Sequence, residues 1–153
     1  MKLDDIIFNL PSLNLGNKQS LKDEKYVIDL CDEVLKCESS RQHKFDFLKG
    51  DSGRKLPVDA YYSKLSLVVE HRERQHTEGV AHFDKPNVMT VSGVHRGEQR
   101  LLYDQRRRDI LPQNGIALIE INYSDFRFNH QKRIERNYDN DINVVRRILS
   151  KYL

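Results

Sequence analysis

The stretch LPVDAYYSKLSLVVEHRERQH, residues 56–76, decides the fold, because Asp59, Glu70 and His76 punctuate two otherwise apolar segments with the alternation of β-strands. A carboxylate among buried β-branched residues must be paired, hydrogen-bonded or bound to a metal. Neither Asp59 nor Glu70 has an obvious partner nearby in sequence. At period two, Leu56, Val58, Ala60 and Tyr62 share one face, and Asp59 with Tyr61 points the other way. Ser63 and Lys64 form a tight polar connection, so the simplest geometry is a β-hairpin. Turning there, opposed residues sum to about 127, which puts Asp59 near Val68 and two positions from Glu70. The two carboxylates are then close enough to share one cation. Oxygen ligands of this kind suit a hard divalent ion, Mg2+ with Mn2+ as a substitute, better than zinc.

The elements on either side of the hairpin complete a sheet. Ser20 with Asp23 resembles a capping box, and Val27, Cys31, Val34 and Leu35 recur at helical spacing, predicting a helix over about Leu21 to Cys37. Phe45, Phe47 and Leu48, bounded by Gly50 and Gly53, predict the first strand. Residues 77–95 form a long aperiodic stretch of the kind that is often functional. From Gly97 to Leu111 the pattern is helical, with Leu101, Asp104, Arg108 and Leu111 on one face, and Pro112 and Gly115 end it. The run IALIEI, residues 116–121, reads as a central strand covered on both faces. Ile142, Val145, Leu149 and Tyr152 mark a closing amphipathic helix. Residues 1–19 read as an arm and residues 20–153 as one domain. The order α-β-β-β-α-β with a C-terminal helix describes an α/β protein built on a mixed sheet.

Composition narrows the functional classes. With 153 residues, no apolar run of membrane-spanning length and an acid-bearing beginning, MKLDDIIFNL, the chain reads as soluble, cytoplasmic and without a membrane partner. Its two cysteines, Cys31 and Cys37, indicate neither a disulfide framework nor a zinc cluster. The net charge of +3 does not by itself imply nucleic-acid binding. Its distribution says more: Arg96, Arg100, Arg106, Arg107 and Arg108 crowd one segment, and Arg127, Lys132, Arg133 and Arg136 another. Such clusters either contact phosphates or solvate exposed faces.

At five positions, Glu24, Asp59, Glu70, His76 and Asp104, the chain resembles the very-short-patch-repair (Vsr-like) endonucleases and their homing relatives, the EDxHD-type branch of the PD-(D/E)XK nuclease superfamily. VVEHRERQH looks like the family's strand followed by its Gln-His pair, and YDQRRRDILPQNGIALIEI like its Asp-bearing helix and final strand. The similarity covers about residues 21–123. It implies a restriction-endonuclease-like fold and a Mg2+-dependent DNA endonuclease acting on duplex DNA. Asp59 and Glu70 would hold the metal, and His76 would take a proton from the attacking water. Asp104 would orient that imidazole, and Glu24 would hold a metal-bound water. Asp29 or Glu33 could replace Glu24 if the helix register differs, and Asp104 has the alternative of an ion pair with Arg108 at i+4. His71, Arg72, Arg96, Arg100 and Arg107 are candidates for phosphate contact, and a homodimer would supply two sites for cutting both strands.

Two features depart from the family's pattern. Arg72 stands where the broader superfamily places a catalytic Lys, and the structural zinc cluster of mismatch-repair members has no counterpart. A non-catalytic DNA-binding or assembly module of the same fold is the competing reading, and RNA or branched DNA are competing substrates.

Overall fold

The computed structural model describes residues 22–73 and 93–153. The arm, Ser20, His76 and most of the 77–95 stretch lie outside the described residues. Within them the elements run α1 (Asp23–Leu35), β1 (Ser40–Lys49), β2 (Lys55–Tyr62), β3 (Leu67–Arg72), α2 (Arg96–Gln113), β4 (Ala117–Asn122) and α3 (Tyr138–Ile148). This is the expected α/β order. The sheet is mixed, in the order β1-β2-β3-β4, antiparallel through β3 and parallel between β3 and β4. Among the described residues no helix is long and apolar enough to cross a membrane.

Two apolar cores flank the sheet. Helices α1 and α3 bring Val27, Ile28, Cys31, Ile142, Val145 and Leu149 against Tyr62, Leu67, Val69 and Ile121. On the other side, Leu111 and Ile116 pack with Leu48, Leu56, Val58 and Val68. Strand β3 is buried along its whole length, and its alternating side chains feed both cores, as expected of a strand covered on two faces. Helix α1 stops at Lys36, whose left-handed φ of 53° ends the hydrogen-bond ladder, so Cys37 falls beyond it.

Several sequence expectations need correction. The hairpin turn is a 3-10 turn, Ser63–Leu65, followed by Ser66 at φ 47°, longer than the two-residue connection expected. Ala60, Tyr61 and Tyr62 therefore pair with Val69, Val68 and Leu67, a sum of 129 in place of 127. A slip of two preserves which side chains face which side, and continuing this register one step past Ala60 and Val69 brings Asp59 level with Glu70. The supposed shared face of β2 is also divided. Leu56, Val58, Ala60 and Tyr62 are all buried, yet the first two join the α2 side and the last two the opposite core. The strand changes the side it offers at Asp59.

Strand β4 is an edge strand, paired with β3 alone among the described residues, and only Ile121 is fully buried. Its apolar run reflects the helices packed on both faces of the sheet and does not report a second strand neighbour. On α2, Asp104 and Leu111 are buried, but Leu101 is 57% exposed and Arg108 turns outward to Glu120. Pro112 sits inside the last turn, and the helix ends at Gln113.

Candidate active site

Regular pairing of β2 with β3 runs from Tyr62 and Leu67 as far as Ala60 and Val69. At the next step the acids themselves join the strands. The Asp59 N–H donates to Glu70 Oε2 at 3.0 Å, and the His71 N–H donates to Asp59 Oδ2 at 2.7 Å. Each carboxylate thus accepts from the strand that carries the other. This crosswise arrangement places both acids at the point where β2 changes sides.

Burial first, then the Glu70 charge and a side-chain hydrogen bond with Glu70, push the Asp59 carboxyl up to about 8; the His71 N–H and the Arg72 charge pull the other way. Glu70 is 2% exposed, and its Oε1 accepts no hydrogen bond among the described residues. Two facing carboxyls, one resisting ionisation and the other with a buried oxygen that accepts no hydrogen bond and has the Arg107 guanidinium 3.1 Å away, fit a hard divalent cation, whose charge would act on both. Among the described residues no group of three or more such side chains gathers, so Asp59 and Glu70 would supply two ligands.

Glu24 approaches from α1. Burial, followed by the Asp59 charge, raises its pKa, while Gln42 Nε2 donates to its Oε1 at 2.6 Å and lowers it. Gln42 is the residue that the β1–β2 register sets across from Asp59, and its φ of 50° marks an irregular point in that strand. The other acids considered on α1 are engaged elsewhere. Asp29 pairs with Lys25 and Arg41, and Glu33 accepts from the Tyr138 hydroxyl.

Asp104 lies 1% exposed on α2. Its Oδ1 accepts from Arg72 Nη1 at 2.8 Å and from Arg107 Nη1 at 3.1 Å. The expected i+4 partner, Arg108, instead grips Glu120 through Nε at 2.6 Å and Nη2 at 2.9 Å. Arg72 also reaches Glu120 at 3.3 Å. The expected contact of Asp104 with His76 lies outside the described residues.

The candidate phosphate contacts divide by placement. His71 and Arg72 are buried, the former with Nδ1 3.0 Å from the Ile121 carbonyl. Arg107 is enclosed and faces the acids. Arg96 is exposed and Arg100 half-buried at the start of α2. Arg106 and Arg108 hold Asp51 and Glu120. Much of the cationic run in α2 therefore neutralises the protein's own acids.

Gln42 escaped the sequence reading, and Arg107 was expected to contact phosphate but faces the acids. Gln42 carried no signal beyond its place in a strand. Arg107 had one, its i+3 spacing from Asp104, which the i+4 pairing with Arg108 obscured. Compared with known proteins, the chain matches no family model, no curated protein and no solved structure.

Proposed function

We propose that this chain is a divalent-metal-dependent endonuclease of the restriction-endonuclease-like type, acting on duplex DNA. The observation that carries the reading is the crosswise Asp59–Glu70 pair, two acids inserted between strands at the edge of their regular pairing. In this reading Asp59 and Glu70 hold Mg2+, or Mn2+ in its place, with Glu24 nearby to orient a water. The bound ion would supply neutralisation of the charge that develops on the scissile phosphate. An imidazole nitrogen of His76 takes the proton of the attacking water, and the exposed Arg96 lies on the same helix as Asp104 for contact with the DNA backbone.

A specific observation favours a second reading, a DNA-binding or assembly module without cleavage. Arg72 occupies the position of the superfamily's catalytic Lys and is spent on Asp104 and Glu120. A buried guanidinium paired with two acids contributes a fixed positive charge and cannot shuttle a proton.

Incubating the full chain with supercoiled plasmid in Mg2+, Mn2+ or EDTA separates the readings. Metal-dependent nicking or linearisation, lost in both Asp59→Asn and His76→Ala, is the expected result. DNA binding without cleavage on duplex, branched or RNA substrates would establish the module instead.

A further inference from the structure

Arg107 contacts three groups from α2. Its Nε and Nη2 donate to the Pro57 carbonyl at 3.2 and 3.0 Å, and Nη1 donates to Asp104. Nε also stands 3.1 Å from Glu70 Oε1, but its hydrogen is directed at Pro57, so this contact is charge alone. We propose that Arg107 is a resident counter-charge of the Asp59–Glu70 site, which a divalent cation must displace from Glu70 before both acids can hold it.

Two features support this role. Asp104 also has Arg72 at the shorter distance of 2.8 Å, so Arg107 divides its charge between Asp104 and Glu70, each 3.1 Å away. The guanidinium side chain is 13% exposed, so water screens its attraction weakly. Because no hydrogen bond joins it to Glu70, it can yield that carboxylate while keeping Pro57 and Asp104. Cation affinity at this site is then set by the competition between Arg107 and the metal. The inference rests on the reading of Asp59 and Glu70 as cation ligands.

The test is Mn2+ binding by the full chain, followed by electron paramagnetic resonance in the absence of DNA, with folding checked by circular dichroism. Arg107→Gln removes the competing charge and is expected to bind Mn2+ about tenfold more tightly than the native chain. Arg107→Lys keeps the charge but cannot span the three groups, and is expected to tighten binding about two- to threefold. A merely structural role predicts the opposite sign, since a disordered site binds more weakly. Unchanged or weaker binding in Arg107→Gln would overturn the proposal, and if that variant does not fold, unchanged or weaker binding in Arg107→Lys overturns it instead. Native binding abolished by Asp59→Asn but unaffected by the arginine changes sinks this inference alone. Absence of Mn2+ binding in the native chain and both arginine variants sinks the metal site with it.

Discussion

Arg72 and Asp104 meet across 2.8 Å with side chains 4% and 2% exposed, joining the end of β3 to the middle of α2. The pair is not symmetrical. Asp104 serves Arg72 and Arg107, whereas Arg72 has Glu120 as a second acid. Removing one member of a buried pair strands the other charge and costs about 3 to 5 kcal/mol. Asp104→Asn strands more charge and is expected to cost about 3 kcal/mol or more, and Arg72→Met about half of that. Urea unfolding of the two variants measures the difference. Equal losses would mean that Arg107 and Glu120 compensate equally.

The Asp59 carboxyl gives stability a particular pH dependence. Its pKa in the folded chain is about 8 against a reference value of 3.8, so between these values the folded state binds the additional proton. The contribution is complete below the reference value and is lost as pH rises towards 8. In EDTA, the native chain should lose more stability between pH 6 and 9 than Asp59→Asn, which keeps an acceptor for the His71 N–H but does not titrate. Added Mg2+ competes with that proton and should raise the melting temperature more at pH 8.5 than at pH 6. Parallel curves for the native and Asn chains would show that this carboxyl titrates normally.

Much of this arrangement could be read from the chain and some could not, for identifiable reasons. Alternation in residues 56–62 located β2 and its acid, because a strand beside a core must alternate. The direct opposition of Asp59 and Glu70 was missed by two positions, since it depends on the left-handed Ser66 that lengthens the turn. Periodicity reports burial of faces and carries nothing about neighbours along the sheet, which is why IALIEI read as central although β4 lies at the edge. The partners of Asp104 were hidden for another reason. Arg72 lies 32 residues away in sequence, and a helix surface offers i+3 and i+4 partners equally.

Glu24 illustrates stability given up at a candidate functional position. Burial and the Asp59 charge both disfavour its ionised form. Glu24→Gln removes the repulsion while keeping a side chain that can meet Gln42. It is expected to stabilise the chain at pH 8 by less than about 1 kcal/mol, given partial solvent screening. The same change should lower metal-dependent cleavage in the plasmid assay. A destabilised Gln variant would show that the Gln42 contact outweighs the repulsion.

Tyr62 offers a control remote from that chemistry. Its side chain is 1% exposed, and its hydroxyl donates to Asp32 Oδ1 at 2.6 Å, tying β2 to α1. Asp32 also has Arg41 at 2.9 Å, so Tyr62→Phe leaves that acid paired and removes one hydrogen bond to a charged acceptor. The expected loss is about 1 to 2 kcal/mol, measured as a shift of the urea midpoint at constant slope. Metal binding should be unchanged, because the hydroxyl belongs to the α1 side and Asp59 and Glu70 are joined through their own backbone contacts. A Phe variant with altered Mn2+ affinity would show that the first core and the acid pair are coupled through β2, at the point where that strand changes sides.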